Sequence, residues 1–260
     1  AATGSGALNT LPISVAPYAV KFEKRLPVKI MFLALFFATI QYMFMLGTRT
    51  QFAILLLIVI LAALQFAYSE QGIAGVLKCI GIMAVISLIA FLLYHFNVLS
   101  IRDYILSTNL AARYERRASL ENADSFRFQS FWIGLRELIQ YPMGGRASQV
   151  YRHNMWLDVG RVSGIIPFCL LLVYSIKNFA NVTVIWKNTK ILPSLRYLLL
   201  FLYIGAYVNC FVEPIWEGAL NFFLALCVVD GMVSAMMRRL ENDPTPEESV
   251  SDTSNLHTDL

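Results

Sequence analysis

The sequence predicts an all-α, polytopic membrane protein, a transmembrane helical bundle of about six spans with a large extracytoplasmic loop that contains short helices. Hydrophobic residues make up 57% of the 260 residues, and the mean hydropathy of +0.59 is too apolar for an ordinary soluble domain. Apolar runs also recur at close to the roughly 20 residues that a helix needs to cross the hydrocarbon core. The predicted spans are Val28–Leu46, Thr50–Tyr68, Gly72–Tyr94, Met155–Phe179, Leu195–Val212 and Ile215–Met237.

Basic residues predict the orientation of these spans. They cluster before the first span, between the fourth and fifth, and after the sixth, and every lysine of the chain falls at or near that face. The positive-inside rule therefore places both ends of the six-span block in the cytoplasm and the long loop outside.

The spans divide the chain into segments. Residues 1–27 are an N-terminal segment that could be the remnant of an earlier span, residues 28–94 and 153–237 each hold three transmembrane helices, residues 95–152 form a periplasmic arginine-rich loop, and residues 238–260 form an acidic tail. We expect the tail to be disordered and cytoplasmic because it is rich in Ser, Thr and Pro. We also expect this chain to be part of a longer protein.

The outer loop contains arginine but no lysine. Guanidinium groups bind phosphate oxygens bidentately, which lysine cannot copy, so the pattern predicts phosphate binding. The alternative is pairing with the loop's own carboxylates or with anionic lipid headgroups, but pairing alone would leave arginines in excess. The arginines of the loop are Arg102, Arg113, Arg116, Arg117, Arg127, Arg136, Arg146 and Arg152, and its acidic residues include Glu115, Glu121, Asp124 and Glu137.

Arg49 lies in the tight outer turn Gly47-Thr48-Arg49-Thr50 between the first two spans. One interpretation is a helix start capped by Thr48 or Thr50, with Arg49 facing headgroups. The other is that Arg49 and the free N–H groups of the helix start hold an anion at the membrane surface. We favour the second because ionisable groups near hydrocarbon are costly and are usually kept for function.

Two helices are predicted within the loop, at Ile101–Leu120 and at about Phe126–Gln140. The second carries an apolar stripe that indicates a helix lying on the membrane or docked on the bundle. Its other face, with Arg127, Ser130, Gly134 and Glu137, would point toward whatever the loop encloses. Gly144 and Gly145 then allow the turn that returns the chain to the bundle.

Several acidic residues and the cysteines complete the pattern. Asp158 and Arg161 are three apart and are predicted to pair, and Asp230 is predicted to be structural. Glu213 and Glu217 flank Pro214 and could either bind a sugar or simply be hydrated. The four cysteines lie within spans without metal or redox spacing, and no Asp-x-Asp pair or histidine cluster occurs. The sequence therefore predicts no metal site and no cofactor.

The order of these features resembles the O-antigen polymerase and O-antigen ligase superfamily of bacterial membrane glycosyltransferases. The matching motifs are Gly47-Thr48-Arg49-Thr50, then Arg127 with Trp132 and the turn Pro142-Met143-Gly144-Gly145, then His153-Asn154 with Leu157, Gly160 and Gly164. The resemblance covers about Ala7 to Met237. The chain departs from the family pattern in its compact glycine turn and in lacking the family's several N-terminal spans.

The resemblance implies a fold like that of the C-type glycosyltransferases and transfer of a glycan from a polyprenyl pyrophosphate to a sugar hydroxyl. The catalytic candidates are His153, as the base, and Arg49 and Arg127, which would neutralise the leaving pyrophosphate. The alternative for His153 is an interfacial residue between Tyr151 and Trp156. Further candidates for contacts with pyrophosphate or glycan are Arg113, Arg116, Arg117, Arg146, Arg152 and Glu213.

The function predicted from this resemblance is metal-independent polymerisation of lipid-linked repeat units of O-antigen, capsule or exopolysaccharide. The alternatives are an O-antigen ligase acting on lipid A core, a flippase or transporter of lipid-linked sugars, and a non-catalytic scaffold. The implied location is the bacterial inner membrane with a periplasmic site. The expected partners are the polyprenyl-pyrophosphate-linked oligosaccharide, the bilayer, and chain-length regulator and flippase proteins, without nucleic acid.

Overall fold

The computed structural model describes residues 7–118 and 123–242. For residues 116–118 and 123–127 it describes the backbone only. The described residues form helices and connecting turns, which confirms the all-α class. A short 3-10 turn, Val98–Ser100, lies between the helix that ends at His95 and the helix that begins at Ile101. In chain order the helices are α1 (Thr10–Phe22), α2 (Leu26–Leu46), α3 (Arg49–His95), α4 (Ile101–Leu106), α5 (Asn109–Ala118), α6 (Ala123–Gln140), α7 (Met155–Ser163), α8 (Ile165–Lys187), α9 (Pro193–Val212), α10 (Ile215–Gly218) and α11 (Leu220–Asn242).

Five helices in the described part of the chain are long and apolar enough to cross a membrane, namely α2, α3, α8, α9 and α11. Helices suit this environment because all of their backbone hydrogen bonds are internal. The protein is therefore a multi-pass helical membrane protein.

Helix α3 contains both the second and the third predicted spans, which are separated by a break at Gly72. This residue has φ 60° and ψ −143°, a conformation open essentially to glycine alone. A straight helix of 47 residues would be about 70 Å long. The chain instead turns back at the break, as two contacts show. Just before the break, Glu70 pairs with Lys21, close to the start of α2. Beyond the end of α3, the Tyr104 hydroxyl donates to Gln41 near the C-terminal end of α2 at 2.7 Å. The turn predicted between the two spans coincides with this break.

The predicted fourth and sixth spans begin too early. The fourth is interrupted at Gly164, which separates α7 from α8, and the sixth is interrupted at Ala219, between α10 and α11. Gly164 has φ 95°, and a Cβ atom there would lie 2.5 Å from the carbonyl oxygen of Pro142. The spans were predicted too long because the segment before each break, which contains Asp158 and Arg161 in one case and Glu217 in the other, was joined to the apolar run that follows it.

The predicted boundary of the C-terminal tail is also wrong. Helix α11 continues through Arg238 and Arg239 to Asn242, so the first residues assigned to a disordered tail are helical. Residues 243–260 lie outside the described part of the chain.

Helix α9 forms the centre of the bundle. Half of its most apolar stretch is buried inside the protein, and its buried residues include Phe201, Tyr203 and Asn209. It packs against α1, α3, α7 and α8. Its C-terminal end at Val212 therefore has a fixed position relative to the surrounding helices.

Helix α1 occupies part of the N-terminal segment that was interpreted as the remnant of a span. It has 13 residues and packs its small polar side chains against α9. Ser14 lies so close to Gly205 of α9 that any side chain at position 205 would clash with its hydroxyl group. Thr10 Oγ1 accepts a hydrogen bond from Asn209 Nδ2 at 3.1 Å. The helix is thus an integral part of the bundle's interior.

The first loop helix is shorter than predicted. The segment Ile101–Leu120 was expected to be one helix, but α4 ends at Leu106 and α5 begins at Asn109. The hydroxyl groups of Ser107 and Thr108 donate to the carbonyl oxygens of Tyr104 and Ile105, at 2.7 and 2.6 Å. Such local side-chain bonds compete with helix continuation.

Candidate functional site

The predicted site residues whose side chains the structure describes lie at one end of the bundle, where α2 and α9 end and α3 and α7 begin. We call this the loop end. Two pockets meet there, and both are lined by Val212, the last residue of α9. Arg49 lines one pocket and His153 lines the other. The structure thus places two of the three predicted catalytic residues in pockets that share the last residue of α9.

The Arg49 pocket has a volume of about 330 Å³ and is lined by residues of α3, α5 and α9. The Arg49 guanidinium lies 5.9 Å from the centre of the Tyr114 ring. Its Nη1 atom is buried and has no hydrogen-bond partner among the described residues. A buried donor without a partner costs free energy, so this atom is well suited to receive an anionic ligand.

The start of α3 adds further hydrogen-bonding capacity beside Arg49. Thr48 precedes the helix but its side chain makes no capping bond, and its hydroxyl oxygen is buried without a partner among the described residues. The Thr50 hydroxyl donates to the Glu213 carboxylate. Capping by either threonine, the alternative considered from the sequence, is therefore not observed.

Arg113 lies against the same turn. Its Nη1 atom donates to the carbonyl oxygen of Gly47 at 3.1 Å, and Asn109 Nδ2 donates to the carbonyl oxygen of Met45 at 2.6 Å. Gly47 has φ 66°, and a Cβ atom there would lie 2.8 Å from the Asn109 carbonyl oxygen. Glycine at this position therefore lets α5 sit directly on the α2–α3 turn, with Arg113 and Tyr114 beside Arg49.

The His153 pocket has a volume of about 440 Å³, and its walls include the aromatic rings of Phe128, Phe131 and Phe211. His153 itself has φ 54°, an uncommon conformation for a residue other than glycine. Its ring packs edge-on against Tyr151, with 4.7 Å between the ring centroids.

Asn154 fixes the position of His153 relative to two helices. Its side chain accepts a hydrogen bond from the backbone N–H of Leu157 at 3.1 Å and so caps α7. Its Nδ2 atom donates to the carbonyl oxygen of Phe211 at 3.2 Å, near the end of α9. The His-Asn pair identified from the sequence therefore joins α7 to α9 beside the second pocket.

Arg146 and Arg152 converge on Glu137 of α6. Arg152 forms a fork on this carboxylate, with Nη2 at 2.7 Å from Oε1 and Nε at 3.1 Å from Oε2. Arg146 Nη2 lies 3.4 Å from the same carboxylate, and its guanidinium stacks on Tyr141 at 4.1 Å. For these two arginines the structure shows the ion pairing that was the alternative to phosphate binding.

Arg161 has a larger role than its predicted pair with Asp158. That pair is confirmed, with 3.7 Å between Arg161 Nε and Asp158 Oδ1. Nη1 of Arg161 also donates to the carbonyl oxygens of Arg146, Ala147 and Gln149, and Nη2 pairs with Glu217. Because these carbonyls are backbone atoms of a loop, no side-chain pattern indicates them in the sequence.

Asp158 is a buried acid of α7 that contacts the loop through the backbone N–H of Arg152. Burial raises the pKa of its carboxyl group from the ordinary value, and this is opposed by the backbone N–H of Arg152 and by the charge of Arg161. Glu217, for which the sequence left sugar binding and simple hydration open, pairs with Arg161.

Three predicted site residues cannot be placed. The side chains of Arg116, Arg117 and Arg127 lie outside the described part of the structure. Among the residues that are described, no group of His, Cys, Asp and Glu side chains could hold a metal ion.

Fold and site together define a multi-pass, all-helical membrane protein with two adjoining pockets at the loop end, one containing an arginine and the other a histidine. No protein-family model, no curated protein and no solved structure matches the chain.

Proposed function

We propose that this protein is a membrane glycosyltransferase that polymerises lipid-linked oligosaccharide repeat units, with its site on the periplasmic side of the bacterial inner membrane. The observation that carries the proposal is the placement of Arg49 and His153 in two pockets that share Val212, with a buried Arg49 Nη1 atom that lacks a partner among the described residues. An anion site beside a group that can accept a proton is what transfer from a pyrophosphate donor requires.

The Arg49 pocket is the proposed site of the pyrophosphate. During transfer, the bond between the anomeric carbon and the pyrophosphate oxygen breaks, and negative charge grows on the leaving polyprenyl pyrophosphate. The guanidinium of Arg49 and the N–H groups at the start of α3 would stabilise that charge. Arg113 of α5 packs against the adjoining α2–α3 turn and would supply a second cation.

The His153 pocket is the proposed site of the acceptor sugar. The acceptor hydroxyl oxygen forms the new bond to the anomeric carbon, and its proton passes to the imidazole of His153. The aromatic rings of Phe131 and Phe211 would contact the apolar face of a sugar ring. Histidine suits this role because its pKa lies near neutral pH.

Arg146 and Arg152 contribute differently in this proposal. Both are engaged with Glu137, so phosphate binding by either would require that ion pair to open. They instead hold the loop in the conformation that presents His153.

The experiment that tests the function is glycan polymer formation in cells that lack their own polymerase, at matched membrane levels of each variant. Arg49→Ala and His153→Ala should abolish long chains, whereas Arg136→Ala and His95→Ala, which replace exposed residues of the same types, should leave them unchanged. Long chains made by His153→Ala would refute its role as the base.

The same assay separates the alternatives. A ligase would make no long chains in these cells even as the native protein, and would instead restore transfer of polymer to lipid A core in cells that lack only their own ligase. A flippase would still deliver repeat units across the membrane in the His153→Ala variant, because transport needs no proton acceptor at a sugar hydroxyl.

A further inference from the structure

Helix α6 uses one face to dock on the bundle. Ser130 and Leu138 on this face are buried, and a Cβ atom at Gly134 would lie 3.1 Å from the Leu157 side chain. A Cβ atom at Gly160 of α7 would in turn lie 2.6 Å from Leu138, so glycine on both helices allows the close approach. The face predicted to point toward the enclosed space is therefore the face that packs on α7.

The opposite face of α6 is apolar and uncovered. Phe128, Trp132 and Ile139 follow one another at spacings that place them on one helical stripe. Their side chains are 67%, 55% and 78% exposed. A stripe of large apolar side chains left open on a docked helix indicates a contact with something outside the described chain.

The depth of this stripe is fixed by its contact with α9. The Phe131 ring lies 5.9 Å from the Phe211 ring, and Phe211 is the next-to-last residue of an apolar helix long enough to cross a membrane. The end of such a helix marks the boundary between hydrocarbon and headgroups. Helix α6 therefore lies at that boundary, where Phe and Trp side chains are favoured.

We propose that α6 is an interfacial helix whose stripe of Phe128, Trp132 and Ile139 inserts into the adjacent leaflet of the lipid bilayer. Phe128 belongs both to this stripe and to the wall of the His153 pocket. The pocket consequently opens at the level of the lipid headgroups. The membrane contact does not depend on the proposed function. One consequence does rest on that function: a lipid-linked substrate would enter the His153 pocket sideways from the bilayer.

Site-directed spin labelling tests the proposal in the full-length protein reconstituted into vesicles of phosphatidylcholine and phosphatidylglycerol. The background replaces Cys79, Cys169, Cys210 and Cys227 with alanine. Labels are placed singly at Phe128→Cys, Trp132→Cys and Ile139→Cys, and the matched controls are the next residues, Gln129→Cys and Gln140→Cys. Collision with oxygen, which concentrates in hydrocarbon, is compared with collision with a water-soluble nickel chelate.

Insertion predicts a several-fold higher ratio of oxygen to nickel collisions at the stripe positions than at the two glutamine positions. Equal nickel accessibility at all five positions would overturn the proposal, because the stripe would then face water. Exclusion of both reagents from the stripe would also overturn it and would indicate a protein partner, including a second copy of this chain.

A second measurement avoids the cysteine-free background. The tryptophan fluorescence of the native chain is compared with that of Trp132→Phe in vesicles containing lipids brominated near the headgroup end of the acyl chain. The difference between the two proteins isolates Trp132, and insertion predicts that this component is strongly quenched. A Trp132 component that brominated lipid leaves unquenched contradicts insertion even if the labelled variants fail to fold.

Discussion

The carboxylate of Asp158 accepts a hydrogen bond from the backbone N–H of Arg152 at 2.6 Å. Arg152 immediately precedes His153, whose backbone adopts φ 54°. The Asp158 side chain is 0% exposed and lies against Arg161. A buried acid on α7 therefore helps to hold the backbone conformation from which the candidate base extends.

Replacing Asp158 with alanine should destabilise the protein strongly. The change leaves the Arg152 N–H without its acceptor and removes one carboxylate from buried Arg161, for which a loss of about 3 kcal/mol is expected. Asp158→Asn keeps an acceptor oxygen and should cost less. Unfolding in detergent, followed by aromatic fluorescence, measures both, and an Asp158→Ala variant as stable as the native protein would contradict this role.

The raised pKa of Asp158 gives the stability a specific pH dependence. Because burial raises its pKa above the ordinary 3.8, the folded protein holds this proton at pH values where the unfolded chain has released it. The contribution of Asp158 to the unfolding free energy should therefore fall as pH rises from about that value through the folded-state pKa, and then level off. Subtracting the pH profile of Asp158→Asn isolates this contribution; a difference that increases with pH over the same window would be the wrong sign.

Arg49 should govern affinity for pyrophosphate. Loss of a charged hydrogen bond of this kind costs about 1.5–3 kcal/mol, so Arg49→Ala should weaken binding of a short-chain isoprenyl pyrophosphate by roughly tenfold to a hundredfold. Arg49→Lys should recover only part of this because lysine lacks the bidentate fork. Titration of purified protein provides the measurement, and Arg136→Ala is the control. Equal affinities for Arg49→Ala and Arg136→Ala would remove the anion site from this pocket.

Two glycines with positive φ, Gly145 of the loop and Gly164 between α7 and α8, should differ in their tolerance of alanine. Gly145 and Gly164 both have positive φ, but a Cβ atom at Gly145 meets nothing within 4 Å, whereas one at Gly164 would lie 2.5 Å from the Pro142 carbonyl oxygen. Gly145→Ala should therefore cost about 1 kcal/mol from backbone strain alone. Gly164→Ala should cost about 3 kcal/mol, since overpacking is added. Similar unfolding midpoints for the two variants would show that the loop adjusts freely around Gly164.

Local features of the sequence predicted a large part of the fold. Apolar runs identified the membrane-crossing helices because hydrocarbon imposes both their length and their composition. The Asp158–Arg161 pair was also predictable, since residues three apart on a helix are neighbours. The interruption at Gly164 was not, because what requires glycine there is a carbonyl group 22 residues earlier in the chain, at Pro142.

The candidate site was less predictable because most of its contacts join distant parts of the chain. Thr50 meets Glu213, and Arg161 meets the carbonyl groups of a loop, and neither contact has a local pattern. From the sequence, phosphate binding was favoured for the loop arginines. The structure instead pairs both Arg146 and Arg152 with Glu137. A count of charges cannot show that one carboxylate serves two cations.

The break at Gly72 has a consequence for how the protein is assembled. In the half of α3 beyond it, most residues are exposed, so in a bilayer their side chains would contact acyl chains. Such a segment gains its stability from partitioning into lipid, and it can insert as an independent unit before the remaining helices associate around α9. Its sequence should accordingly tolerate exchange of one apolar residue for another, being selected for solubility in hydrocarbon and not for fit to a neighbour.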